Sequence, residues 1–285
     1  MNSSVRKCII RRIDNGESSL ETDLLVTEEP LEIQLTFERG KRRVNRTVSV
    51  TMRTPGNDVE LALGLLFGEG ILDDIDQIDC TENSNENTIR IVLKPGAVVD
   101  LRRLDRNFYT SSSCGVCGKT SLEQLQFGHD ASQTEISPLV VDSEVIHELP
   151  NALKSTQTVF GSTGGLHAAG LFDAQGNLVE IREDVGRHNA VDKLIGAQLL
   201  AHHKPPFTNR LLFLSGRAGF ELVQKAVAAG IPIVAAVGAP SSLAVEMAQA
   251  NGVTLVGFVR NRRFNVYCGE ARIRAFTQKI GREKT

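Results

Sequence analysis

The stretch Arg210–Gly238, RLLFLSGRAGFELVQKAVAAGIPIVAAVG, decides the architecture of the chain. Leu211 to Leu214 form an apolar run too short for a helix, and Ser215-Gly216-Arg217-Ala218-Gly219 breaks it. FELVQKAVAAG then places apolar residues at helical spacing, and IPIVAAVG is a second apolar run. Strands that are apolar throughout and alternate with helices belong in a sheet covered on both faces. The rhythm continues outward on both sides. Downstream come the helix SLAVEMAQANG and the strand VTLVGFVR. Upstream lie the helix AVDKLIGAQLLAHH, two strands in GLHAAGLFDAQGNLVEIRED that meet at Gly176-Asn177, and the amphipathic helix SEVIHELPNALKSTQTVF, which Pro150 can interrupt. The expected order is helix, two strands, helix, strand, helix, strand, helix, strand. This half is α/β.

The first half reads differently, as an α+β part. In LEIQLTFERGKRRVNRTVSVTMRT, Leu31, Ile33, Leu35 and Phe37 share one face; Val48, Val50 and Met52 are expected to do the same, giving a hairpin with one wet side. TPGNDVELALGLLFGEGI supplies one main helix, with Asn57 or Asp58 to cap its start and Gly70 to stop it. A polar stretch, TENSNEN, precedes the alternating strand TIRIVLKPG. The basic run Arg39, Lys41, Arg42, Arg43 and Arg46 at the hairpin turn reads as a solvated edge that discourages strand aggregation, with a docking surface as the sharper alternative. The expected division is a β-rich domain over 1–108, a flexible connector with a short helix over 109–134, and the α/β domain over 135–285.

Bulk properties exclude several classes. The 285 residues are 41% hydrophobic and 23% charged, a globular composition. A net charge of -2 gives no overall field for nucleic acid or an anionic membrane. Near the start, only Cys8-Ile9-Ile10 is an apolar run, too short for a signal-peptide core, and nothing approaches a membrane span. The expected compartment is the cytoplasm, where thiols stay reduced. Five cysteines at irregular spacing are no disulfide framework; Cys8, Cys80 and Cys268 read as packed or idle thiols.

Ligands of such a sheet gather at the carboxyl ends of its strands and the amino ends of the following helices. Small and cationic residues fall there: Gly164 and Gly165 before the first strand, Arg187 and His188 after the second, Ser215, Gly216 and Arg217 after the third, and Arg260, Asn261, Arg262 and Arg263 after the last. Backbone N–H groups beside small residues can approach a phosphate, and arginine clamps its oxygens. Against this stands the plain reading of tight turns and solvated arginines. His167 and His188 can equally be hydrogen-bonded fixtures, and neither has a metal-ligand spacing around it.

SSSCGVCGK sets Cys114 and Cys117 three residues apart in a Ser/Gly-rich connector. Structural zinc needs about four ligands, and no second cysteine or histidine pair at comparable spacing exists. A thioredoxin-like dithiol sits at a helix start after a strand; here Thr120 to Glu123 opens a helix with a capping-box pattern. Gly115 and Gly118 give the loop the reach to swing a sulfur between two partners. Zinc binding, dithiol exchange and sulfur carriage therefore all stay open.

TPGNDVELALGLLFGEGI, SSSCGVCGK, GSTGGLHAAG, REDVGRHNAVDKLIG, LSGRAGFELVQKA and TLVGFVRNRRFNVY together resemble the formate dehydrogenase accessory sulfurtransferases, the FdhD family. The resemblance implies a sulfurtransferase that takes sulfur from a cysteine desulfurase and delivers it to the molybdenum (or tungsten) bis-guanine-dinucleotide cofactor before insertion into formate dehydrogenase. By position, Cys114 bears the persulfide, Cys117 assists or resolves, and Phe258, Val259, Arg260, Asn261, Arg262 and Arg263 contribute to the cofactor site. It further implies a cytoplasmic homodimer and a C-terminal domain similar to cytidine deaminases, a three-layer sandwich. Deaminases carry H-x-E and P-C-x-x-C at two helix starts; this chain has GRHNAVD and SGRAGFE there, so no zinc-water site is expected. The rival readings are a dithiol-disulfide oxidoreductase, a non-catalytic chaperone of the molybdenum cofactor, and a zinc module.

Overall fold

The computed structural model describes residues 4–40, 42–100 and 139–275. Cys114, Cys117 and the domain limits expected between 108 and 135 lie outside them.

The α/β half is built as its sequence implies. Strands β8 (His167–Phe172), β9 (Leu178–Asp184), β10 (Leu211–Leu214), β11 (Ile233–Ala236), β12 (Thr254–Arg260) and β13 (Arg263–Cys268) form one sheet in the order β13-β12-β11-β10-β8-β9. The central pairs β10·β11 and β11·β12 are parallel, while β8·β10, β8·β9 and β12·β13 are antiparallel. One face carries α4 (Arg187–Leu200), α5 (Phe220–Ala228) and α6 (Ser242–Ala250), through a core that includes Leu194, Leu212, Val223, Val234, Met247 and Leu255. The other carries α2 (Ser143–Thr156), entered from the short strand β7 (Val141–Asp142); its Ile146, Leu149 and Leu153 meet Leu211, Phe213, Ile233 and Val256. Burial on both sides is why these strands lack polar alternation.

Two local expectations are corrected here. The amphipathic run after Ser143 is not interrupted at Pro150, which lies inside α2; the break falls at Gln157, and α3 (Thr158–Thr163) follows. Gly161 to Thr163 are therefore helical. Arg263 is not in a loop but opens β13. The strands turn at Asn261 and Arg262, whose φ values of 52° and 54° are the left-handed pair a two-residue hairpin turn requires.

The first half contributes two sheets. In the larger, of order β4-β3-β6-β5, β3 (Glu29–Arg39) lies between β4 (Arg42–Arg53) and β6 (Thr88–Leu93), with β5 (Ile78–Asn85) at the edge. Leu31, Ile33, Leu35 and Phe37 are buried as expected, and so is Val48. Val50 and Met52 are not: they are 60% and 47% exposed. The register slips between Ile33 and Gln34, with Ile33 opposite Ser49 and Gln34 opposite Thr47. One extra residue at this bulge reverses which side chains of β4 face inward. TENSN is likewise not loop but most of β5, polar because an edge strand with no buried face needs no apolar residues. A separate ribbon, β1 (Val5–Asp14) with β2 (Glu17–Val26), turns at Asn15-Gly16, where both φ values are positive.

α1 (Asp58–Gly68) joins the halves. It stops as expected at Gly70, at φ 64°, where the N–H groups of Gly70 and Ile71 reach back to Phe67 and Leu66. Its start is different: Asn57 caps with no side-chain bond, and Asp58 accepts from Arg53 instead. Leu61, Leu63 and Leu66 bury against the β3 sheet, each contributing about 2 kcal/mol of hydrophobic stabilisation. Phe67 instead joins the core under α4 and α5.

Candidate functional site

The rim formed by the amino end of β8 and the carboxyl ends of β9, β10, β11 and β12 is built from backbone packed on backbone. Ser215 ties β10 to β8: its N–H donates to the Ala168 carbonyl at 3.0 Å, and its Oγ accepts from the Ala168 N–H at 2.8 Å. Gly238 N–H donates to Gly216 O at 2.9 Å, and Phe258 N–H to Gly238 O at 3.1 Å. A Cβ on Gly238 would fall 2.9 Å from Gly216 O. Several glycines here thus serve loop-on-loop packing, a role sequence alone cannot distinguish from phosphate approach. Gly216 faces His167, whose Nδ1 lies 3.2 Å from where its Cβ would stand. Around Gly164 and Gly219 there is open space, whereas Gly165 lies against Val26 of the β1–β2 ribbon.

Of the residues singled out by the sequence, His167, Arg187, His188, Ser215 and Gly216 come together. His167 is half-buried; burial first, then the positive charges of Arg187 and His188, hold its pKa below the ordinary value. Phe258 sits at φ 55°, a strained conformation for a bulky residue, with the Arg260 guanidinium 5.7 Å above its ring. Arg217 is exposed. Other members are placed elsewhere. Arg262 is held by Glu144 at 2.7 Å and by Glu148, both on α2. Val259 has its side chain fully buried in the core under α2, and Asn261 and Arg263 are exposed around the β12–β13 turn.

The sequence places Asp184, Asn189, Asp192 and Lys193 at the end of the second strand, but not their pairing into a charged network behind the site. Asp184, fully buried, takes Lys193 at 2.7 Å and accepts from the N–H groups of Thr54 and Gly186 and from Asn189. Lys193 also donates to Thr54 O at 2.8 Å, and Asn189 to Met52 O, so the strand ends are fastened to the first half. Between the parallel starts of α4 and α5 run two ion-pair rungs. Asp192 and Lys225 stand 2.6 Å apart, and His188 and Glu221 2.8 Å apart. Burial pushes the Asp192 carboxyl up against the attraction of Lys225. Burial also acts to lower Lys225, but Asp192 and Glu69 outweigh it and raise its pKa. The only sequence signal was the four-residue spacing of 188/192 and 221/225, invisible until the helices are side by side.

Among the described residues no group of His, Cys, Asp and Glu is arranged to hold a metal. No described helix is long and apolar enough to cross a membrane. A cleft of about 570 Å³ lies away from the strand ends, around Gly56 to Glu60 and Asn83 to Glu86. Its charged lining residues are the carboxylates Asp58, Glu60 and Glu86, so it offers no cationic side chain to an anion.

The sequence profile of the FdhD/NarQ family matches residues 26–274. The chain belongs to the FdhD/NarQ family. Sulfur carrier protein FdhD of Streptomyces avermitilis is 48% identical over 271 residues, covering 92% of this chain and 93% of that one. Its counterpart in Sulfolobus acidocaldarius is 42% identical over 269 residues, covering 94% and 98%. A crystal structure described as a formate dehydrogenase accessory protein from Desulfotalea psychrophila superposes with a TM-score of 0.73 at 24% identity, covering 95% of this chain and all of that one. The fold of this FdhD/NarQ member is therefore that structure's mixed α/β fold.

Proposed function

We propose that this FdhD/NarQ protein is a sulfur carrier in formate dehydrogenase maturation. It takes one sulfur atom from a cysteine desulfurase as a persulfide on Cys114. It passes that atom to a molybdenum or tungsten bis-guanine-dinucleotide cofactor before the cofactor enters the dehydrogenase. The observation that carries this reading is the presence of Cys114-Gly115-Val116-Cys117 in a chain 40% or more identical, over most of its length, to curated sulfur carriers.

The loading step is sulfur exchange without net oxidation. The Cys114 thiolate attacks the outer sulfur of the donor persulfide, the donor's S–S bond breaks, and its cysteine leaves as thiolate. Cys117 assists or resolves at the delivery step. The strand-end cluster of Arg187, His188, His167, Ser215 and Gly216, with Phe258 and Arg260 at the end of β12, is the cofactor-facing surface. Its side-chain donors suit phosphates and a base. The protein works as a homodimer in the cytoplasm.

Incubation with a cysteine desulfurase and a sulfur source should add the mass of one sulfur, mapping to Cys114. Full loading of Cys114→Ala would overturn the assignment.

A further inference from the structure

We propose that Glu221 is the residue that selects the base of the bound nucleotide, accepting hydrogen bonds from a guanine edge that other purines do not present. This rests on the guanine-nucleotide reading of the strand-end surface and adds to it a residue, a contact and a discrimination.

The two rungs between α4 and α5 differ in accessibility. The inner pair, Asp192 and Lys225, is closed off, at 3% and 9% side-chain exposure. The outer pair, His188 and Glu221, opens to 18% and 15% and stands at the helix starts where the strands β9 and β10 end. Both rungs hold partners at ion-pair distance without a hydrogen bond in line, Asp192 Oδ1 in the inner one included, but only the outer pair is open to a ligand. Although His188 Nε2 and Glu221 Oε2 are 2.8 Å apart, they are out of line for a hydrogen bond. His188 Nε2, Glu221 Oε1 and the neighbouring Arg187 Nε are all buried atoms without a hydrogen-bond partner. Folded proteins seldom leave such atoms unpaired unless a ligand, ion or water completes them. Three in one place, beside His167 and the Gly216 loop, point to a ligand.

Their chemistry names its edge. A carboxylate with a free oxygen takes two N–H donors side by side, and the adjacent arginine and imidazole donate to an acceptor next to them. Guanine presents this sequence: the 2-amino group and N1–H as donors, then O6 as acceptor. Hypoxanthine lacks the 2-amino donor. Adenine turns an unprotonated N1 toward the carboxylate and a donor toward the cations, so it is opposed on both counts. Sites built to hydrogen-bond a polar group reject analogues lacking it more strongly than apolar pockets reject a change of size.

The test is the affinity of the full chain for GDP, IDP and ADP, measured by titration calorimetry for wild type and for Glu221→Gln. The wild type should prefer GDP to IDP by about tenfold or more, the scale of one hydrogen bond to a charged group, and ADP should be weaker still. In Glu221→Gln the GDP-to-IDP ratio should collapse toward one. The ratio is read within one protein, so partial misfolding of the variant lowers both affinities and leaves it intact. A wild type that binds GDP and IDP equally, or a variant that keeps the preference, overturns the role of Glu221 while leaving the nucleotide surface standing. A wild type that binds none of the three, yet loads sulfur on Cys114, overturns the nucleotide surface and this inference together.

Discussion

Gly64 on α1 and Gly196 on α4 meet where the two halves of the chain touch, each against the backbone of the other helix. A Cβ on Gly64 would fall 1.9 Å from the Asp192 carbonyl oxygen, and one on Gly196 would fall 1.9 Å from that of Glu60. No side chain larger than hydrogen fits at either position without separating the helices. The approach also brings Thr54 to Asp184 and Lys193, and so fixes the first turn of α4, where Arg187 and His188 stand.

Either Gly64→Ala or Gly196→Ala should therefore destabilise the protein well beyond an ordinary helix glycine. Alanine normally favours a helix over glycine by about 1 kcal/mol. Here a backbone clash at this distance should reverse the sign and cost about 3 kcal/mol or more. Thermal unfolding decides it: a midpoint equal to or above wild type for either variant would refute the close approach.

Lys193→Met should be among the most damaging single changes. It strands the Asp184 carboxylate, which is fully buried, and removing one partner of such a pair costs about 3–5 kcal/mol. Adding Asp184→Asn removes the stranded charge, so the double variant should be more stable than Lys193→Met alone. Urea unfolding of Lys193→Met, Asp184→Asn and the double variant tests this, and additive losses would mean the pair is not coupled.

How much of this was legible in the sequence follows from burial. Leu211–Leu214 and Ile233–Ala236 are covered on both faces, so their uninterrupted apolar runs announced a helix-covered sheet. β5 and the β1–β2 ribbon were not legible as strands because they bury little; TENSN carries edge chemistry rather than strand chemistry. Within that ribbon only Asn15-Gly16, a two-residue hairpin pair, carries a local signal in the sequence. Arg262 in a left-handed turn left no signal at all, since its conformation is disfavoured for that residue. In the site, the cationic and glycine loops were readable by position along the chain. Glu221 was not, because its meaning comes from His188, 33 positions earlier on a different helix.

The acid sensitivity of the fold should depend in part on His167. Its pKa lies below the ordinary 6.5, chiefly through burial and then through Arg187 and His188. A depressed value means that the folded state favours the neutral ring. Its contribution is complete above the unfolded value near 6.5 and is lost as pH falls through the folded one. Wild type should thus lose stability between pH 7 and 5 more steeply than His167→Gln. Urea midpoints at several pH values check this; parallel pH profiles would exclude His167 as a source.

The bulge in β4 makes a sharper claim, because it assigns opposite fates to residues that strict alternation treats alike. Val48, Val50 and Met52 lie two apart, yet Val48 is 1% exposed while Val50 and Met52 face solvent. Val50→Lys and Met52→Lys should each change stability by no more than about 0.5 kcal/mol, as surface substitutions do. Val48→Lys forces an ammonium into the core formed by Leu35, Ile91 and Leu63 and should leave little folded protein. Circular dichroism melts of the three variants distinguish the registers. If Val50→Lys proved as damaging as Val48→Lys, the strand would run without the slip opposite Ile33, and the placement of Thr51 to Thr54 against α4 would have to be redrawn.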